Sequence, residues 1–265
     1  MLRIKNLDVT FHLDQNPQND RHALNNVSLN FEKGEFVTII GSNGSGKTTL
    51  LNAIAGTIQT DAGIIELDGK QIQKLSDFRR ARYVGRVFQD PTLGTIGDMS
   101  IEENLSLASL RSKRHSFVWA LKKKNRIKYE QMLEQLDLGL ENNIRAKMSA
   151  LSGGQRQSIT LLMSTLVNPD ILLLDEHTAA LDPKTAKNVM QLTEKIVNSL
   201  TNTVAIMITH NMSDAVKYGN RLIMMHEGQV LLDVSGDEKN KLSVEDLISY
   251  FRKSQDDFPD SSLLL

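Results

Sequence analysis

Eight consecutive residues announce chemistry most openly: Gly41-Ser42-Asn43-Gly44-Ser45-Gly46-Lys47-Thr48. They follow the apolar run Phe36-Val37-Thr38-Ile39-Ile40 and precede Thr49-Leu50-Leu51-Asn52-Ala53-Ile54-Ala55. This is G-x-x-x-x-G-K-[ST] between a strand pattern and a helix pattern, the phosphate-binding P-loop. Its glycines let the backbone turn tightly and aim N–H groups inward. A helix opening at Lys47-Thr48 adds partial positive charge under the same point. The candidate nucleotide ligands are therefore Ser42, Asn43, Gly44, Ser45, Gly46, Lys47, Thr48 and Thr49. Lys47 would reach the β- and γ-phosphates, and the Thr48 hydroxyl would take one Mg²⁺ position.

A second set lies at Ile171-Leu172-Leu173-Leu174-Asp175-Glu176, an apolar run ending in two carboxylates. Ligands of open α/β sheets bind beyond the C-terminal ends of strands, where this pair would stand. Asp175 would hold Mg²⁺, directly or through water, and Glu176 would polarise an attacking water. A third stretch, Leu151-Ser152-Gly153-Gly154-Gln155, opens a further helix pattern and is a second candidate anion-binding helix N-terminus. It could serve the same nucleotide, or a nucleotide held by a second copy arranged head to tail. It could also be an ordinary capped helix; spacing alone leaves the three open.

The elements that must position these residues follow from apolar periodicity. Leu2, Ile4, Leu7 and Val9 mark an N-terminal strand, residues 12–22 a polar loop, and residues 24–31 a second strand. Gly56 ends the helix after the P-loop. Ile64–Leu67 and Tyr83–Phe88 read as strands, with a turn at Asp68-Gly69. From about residue 95 the pattern becomes helical: Ser100-Ile101-Glu102-Glu103 is a capping box, and Ile127, Met132, Leu133 and Leu136 recur at helical spacing. Residues 111–126 are rich in Lys and Arg and include Trp119. Strand-like runs return at 171–174, 203–208, 222–225 and 230–232, with helices at 183–200 and 211–218. Asp182 is placed to cap the first of these helices and Pro183 to occupy its first turn. Strand–helix–strand alternation with apolar strands predicts a parallel sheet covered by helices. Ser243 would cap a last helix to about Phe251, followed by a loose tail at 254–265.

Bulk composition narrows the class. The chain has 265 residues, 40% hydrophobic and 24% charged, with a formal net charge of −1. That balance gives no global field for nucleic acid or anionic membrane. With no cysteine, disulfides, thiolate zinc sites and a Cys nucleophile are excluded. No signal-peptide pattern and no run of about 18 apolar residues is present, which predicts a cytosolic protein with at most a peripheral membrane role.

The P-loop, the LSGGQ sequence at 151–155 and the ILLLDE strand at 171–176, in this order, resemble the ATP-binding subunit of an ABC transporter over about residues 2–235. The resemblance implies an α/β fold: a P-loop NTPase core with a mostly parallel sheet, an N-terminal antiparallel β subdomain and an inserted α-helical subdomain. The expected division is a catalytic core at 1–94 and 169–240, a helical insertion with the signature at 95–168, and a C-terminal helix and tail at 241–265. It implies hydrolysis of MgATP by a head-to-tail homodimer, with Ser152, Gly153, Gly154 and Gln155 covering the partner's nucleotide. Gln89 matches the glutamine that touches Mg²⁺ and the attacking water and senses the membrane partner. Asp182, in Ala180-Leu181-Asp182, matches a loop that communicates across the dimer, and His210 matches a histidine that contacts the γ-phosphate. The family stacks an aromatic ring on adenine; Phe11 is the candidate, with His12 or His22 as substitutes.

The implied partners are a second copy, integral-membrane permease subunits and an extracytoplasmic substrate-binding protein, with no nucleic acid. The implied location is the cytoplasmic face of the cell membrane. The insertion near Gln89 would receive a permease helix, and the basic runs 111–115 and 122–124 would face the membrane or simply be solvated. Many members have Pro after the Asp-Glu pair, where this chain has His177. That segment and Gly85-Arg86-Val87-Phe88-Gln89-Asp90-Pro91 are similar to a bacterial subgroup paired with lipoprotein-type binding proteins, some assigned to tryptophan or tyrosine uptake. Export remains an alternative to import. A soluble ATPase acting on nucleic acid or ribosomes fits less well, since such relatives carry two ATPase units or a long coiled coil.

Overall fold

The computed structural model describes residues 1–12, 20–111 and 123–257, with no side-chain description at 123–124 and 254–257. Trp119, almost all of the basic runs and most of the C-terminal tail lie outside the described side chains. The chain groups into two compact units. One is built from Met1–Asp77 and the chain from Val204 onward, the other from Phe78–Thr203.

The first stretch carries β1 (Leu2–Phe11), β2 (Arg21–Phe31), β3 (Phe36–Gly41), α1 (Lys47–Ala55), β4 (Ala62–Leu67) and β5 (Lys70–Gln71). Strands β2-β1-β4-β5 form an antiparallel sheet. Leu2, Ile4, Leu7 and Val9 are all buried. The step of three between Ile4 and Leu7 marks a register shift at which Asn6 takes a positive φ of 45°. That bulge keeps Leu7 on the inner face although the spacing breaks strict alternation. Arg21 and His22, expected in a loop, belong to β2 because Phe11 and Thr10 extend the ladder to them. Gly56 ends α1 at φ 83°, its N–H donating to Asn52 O.

The second unit contains β6 (Val84–Val87), α3 (Ile101–Ser109), α4 (Lys123–Glu134), α5 (Gly153–Thr165), β7 (Ile171–Asp175) and α6 (Pro183–Ser199). The short α2 (Asp77–Arg80) lies at its start. Strands β6 and β7 pair in parallel, Val84 level with Ile171 and Val87 with Leu174. The expected capping box is present: Ser100 Oγ accepts from Glu103 N while Glu103 Oε2 accepts from Ser100 N at 2.7 Å. Its helix packs with α4 and α5 around Ile101, Leu105, Tyr129, Leu133 and Ile159. All five side chains are at most 2% exposed, so this cluster is a true core rather than a surface contact.

From Val204 the chain adds β8 (Val204–Ile208), α7 (Met212–Lys217), β9 (Arg221–His226), β10 (Gln229–Ser235), α8 (Gly236–Lys241) and α9 (Val244–Asp257). Strand β3 runs parallel to both β8 and β9, and β10 returns antiparallel on β9. Every residue of β8 is buried, as its unbroken apolar sequence requires. Helices α2 and α8 and strand β5 are too short to leave a periodic signal. The first turn of α8 is polar; its Lys239 is buried because the ammonium donates to Val216 O, Tyr218 O and Gly219 O at the end of α7. Helix α9 runs to Asp257, nearly two turns further than its apolar pattern suggested. The fold is thus an antiparallel N-terminal sheet with a mixed, mostly parallel sheet and helices.

Candidate nucleotide site

The first unit holds the P-loop. Strand β3 ends at Gly41 and α1 begins at Lys47, so five residues turn the chain between them. Gly46 caps α1 in the left-handed conformation at φ 98° without a side-chain acceptor. The first N–H groups of α1 therefore receive no side-chain cap from Gly46, which suits an anionic ligand. Lys47 is 5% exposed, and its ammonium donates to Gly41 O at 2.8 Å and Ser42 O at 2.7 Å. The cation is folded over the mouth of its own loop. Asn43, Gly44 and Thr48 are exposed.

Two further features belong to this unit. Residues Ile39 of β3 and Ile208 of β8 are level, and Thr209 N donates to Ile39 O. His210 therefore follows β8 at the edge where the P-loop follows β3, and it is exposed. Phe11, the last residue of β1, is 41% exposed, so packing does not account for it. Of its substitutes, His12 pairs with Asp20 at 2.9 Å and His22 faces the Thr10 hydroxyl at 3.1 Å. Opposite Phe11, Arg21 lays its guanidinium against Gly44, whose positive φ of 80° also disfavours any other residue. Sequence reading missed Arg21, which sat in an apparent loop; only its ladder position brings it to the P-loop.

The second unit holds the carboxylates. Asp175 ends β7 and is 9% exposed; Glu176 follows in the left-handed region at φ 46°. A left-handed non-glycine residue stores strain and turns the chain sharply at the strand end. The β6–β7 ladder ends with Val87 level with Leu174, so Phe88 and the exposed Gln89 leave β6 at the edge where Asp175 ends β7. Arg86 donates to Asp175 Oδ2 at 2.9 Å. Sequence reading missed this pair as well, because the partners are 89 residues apart.

The signature stretch forms a capping box: Ser152 Oγ accepts from Gln155 N and Gln155 Oε1 accepts from Ser152 N. Asp182 likewise caps α6, accepting from Thr185 N at 3.1 Å, and Thr185 holds its carboxyl below the usual range. The two helix starts meet. A side chain at Gly154 would collide with that of Thr185, and one at Gly153 would press on Leu181. The glycines are thus needed for close approach, and Gly153, Gly154 and Asp182 share one place.

His177 explains itself locally. It is 2% exposed, and its Nε2 lies 2.9 Å from Thr193 Oγ1. The Thr193 hydroxyl donates to Val189 O, so its oxygen accepts from His177 Nε2–H, which defines the neutral tautomer. Burial pushes its pKa down from 6.5 to about 4. Between those values the unfolded chain binds a proton that the folded chain does not, so stability falls as pH drops through that window. The shift corresponds to roughly 3 kcal/mol. Urea unfolding at pH 7 and pH 4 should show this extra loss in wild type and not in His177→Gln; equal losses would refute it.

Among the described residues no cluster of three or more His, Cys, Asp or Glu could hold a metal by itself. Taken singly, Asp175 offers a carboxylate and Thr48 a hydroxyl, oxygen donors of the kind that Mg²⁺ takes. No described helix is long and apolar enough to cross a membrane.

Comparison with known proteins identifies the family. Residues 24–179 match the ABC transporter family model, and the chain belongs to that family. It is an ATP-binding subunit, an ATPase coupled to transport. A tyrosine transport ATP-binding protein of Clostridioides difficile (strain R20291) is 48% identical over 252 residues, 95% of this chain and 98% of that one. The choline transport ATP-binding protein OpuBA of Bacillus subtilis (strain 168) is 31% identical over 264 residues, 98% of this chain and 65% of that one. Among solved structures, a dimeric ATP-binding cassette in a post-hydrolysis state with ADP and Pi is similar at a TM-score of 0.75 and 31% identity, over 89% of this chain and 98% of that one.

Proposed function

We propose that the protein energises the import of an aromatic amino acid, tyrosine foremost, by hydrolysing MgATP as a head-to-tail homodimer beneath a membrane permease. The observation that carries the substrate reading is the near full-length likeness to a tyrosine transport ATP-binding protein. The catalytic core at 1–94 and 169–240 holds the nucleotide, the insertion at 95–168 meets the permease, and 241–265 is accessory. Residues 42–49 bind the phosphates and Phe11 stacks on adenine. Thr48, Asp175 and Gln89 would hold Mg²⁺, which would supply neutralisation of the phosphate charge. Glu176 accepts a proton from the attacking water, which Gln89 and His210 help orient. Ser152 to Gln155 and Asp182 act on the nucleotide of the other copy, so closure completes the site and excludes water. An extracytoplasmic binding protein delivers the amino acid, and the ATPase sits on the cytoplasmic face.

The test is to purify the tagged full chain from gently solubilised membranes and identify what accompanies it. A permease and a binding protein whose ATPase complex is stimulated by tyrosine or tryptophan are expected. A complex stimulated only by choline or methionine would overturn the substrate, and a permease without any binding protein would overturn import.

A further inference from the structure

Strand β6 carries Arg86 level with Leu173 of β7. Side chains two apart on a strand share a face, so Asp175 comes within reach of the long Arg86 side chain. The guanidinium donates through a single nitrogen to Asp175 Oδ2 at 2.9 Å, with both side chains largely shielded at 14% and 12% exposure. Its carbon lies 4.6 Å from the centre of the Phe88 ring. The Phe88 carbonyl in turn accepts from Gln157 Nε2 at 3.0 Å, which ties the segment entering Gln89 to α5.

This pairing is incomplete as a structural device. Arg86 Nε is buried and has no hydrogen-bond partner. The contact to Asp175 is one bond where a guanidinium and a carboxylate can make two. A shielded ion pair with an unsatisfied donor contributes little net stability and calls for another reason.

We propose that Arg86 is a positioning residue of the nucleotide site, a resident counter-cation that occupies Asp175 and that Mg²⁺ must out-compete. This rests on the reading of Asp175 as a metal-holding carboxylate. One oxygen of that carboxylate is engaged by a fixed positive charge. A divalent cation arriving at the same group meets repulsion that is weakly screened in a shielded site. Arg86 thus raises the Mg²⁺ concentration at which the site fills. It also keeps Asp175 neutralised and correctly aimed while the site is empty. Through Phe88, the same side chain connects that event to the backbone leading into Gln89.

The experiment measures binding of a fluorescent ATP analogue to the full-length protein in EDTA and across a Mg²⁺ titration. Wild type, Arg86→Gln, Arg86→Lys and Asp175→Asn are compared after thermal melts establish folding. Arg86→Gln is expected to lower the half-saturating Mg²⁺ concentration about tenfold, with affinity in EDTA within about twofold of wild type. Arg86→Lys, which keeps the charge, should stay near wild type. Arg86→Met, which keeps the stem over Phe88, carries the same expectation as Gln if Gln fails to fold. A Mg²⁺ requirement unchanged or raised in the neutral variants overturns the inference. Asp175→Asn separates the two ideas. If it abolishes the Mg²⁺ effect while Arg86→Gln does nothing, only the Arg86 inference fails. If Asp175→Asn titrates like wild type, the metal reading of Asp175 fails and takes the inference with it.

Discussion

Glu176→Gln is expected to lose ATP turnover by about 10²–10⁴-fold while retaining ATP binding. The amide has the shape of the carboxylate and can still hydrogen-bond a water, but it cannot take a proton at neutral pH. Folding should be preserved, because the left-handed backbone at φ 46° is strained equally for both residues. If Glu176 faces the terminal phosphate as proposed, the substitution also removes repulsion there, so binding should be equal or tighter. If hydrolysis is what opens the closed dimer, the variant should accumulate as a dimer in ATP. Size-exclusion chromatography with and without ATP reads this directly. A variant that turned over ATP at the wild-type rate would remove Glu176 from the role of base. One that lost turnover without an ATP-dependent dimer would remove the head-to-tail model instead.

The second large effect is expected at Lys47. Its ammonium is almost fully buried and donates to Gly41 O, Ser42 O and Ser45 Oγ. The positive charge is therefore already desolvated where phosphates would arrive, and the loop carbonyls hold it in place. Lys47→Met removes both functions: a charge-assisted bond to phosphate and the donor to two loop carbonyls. Hydrogen bonds involving charged groups contribute about 1.5–3 kcal/mol, so nucleotide affinity should fall about 10–100-fold. Fluorescent-nucleotide titration would detect the loss, and a melting curve would show the smaller cost to the empty loop. Unchanged affinity would mean that the backbone N–H groups alone provide the phosphate site.

The P-loop turn, the helix caps and the buried strands were legible because their signals are local. The P-loop needs only adjacent glycines, a Lys and a helix start, and these are adjacent in the chain. The caps at Ser100 and Asp182 and the stop at Gly56 are likewise determined within a turn or two. Apolar runs such as 171–174 and 203–208 identified fully buried strands, the second observed over Val204–Ile208, since only a two-sided cover tolerates them. The short elements escaped for the opposite reason. Helices α2 and α8 have four and six residues, less than two turns, and leave no period to detect.

By itself, then, the sequence determined which residues could bind phosphate, which could act on water, and the order of the elements presenting them. These follow from covalent neighbours and from periodicities of two and 3.6 residues. Only the tertiary structure decided what those residues touch. Strand register set Arg86 on Asp175 across 89 positions and Arg21 against the P-loop. Close helix approach decided why Gly154 must lack a side chain, and burial decided that His177 is a neutral donor to Thr193. Such contacts depend on which strands and helices become neighbours, a choice made by the packing of the whole unit that no single segment encodes.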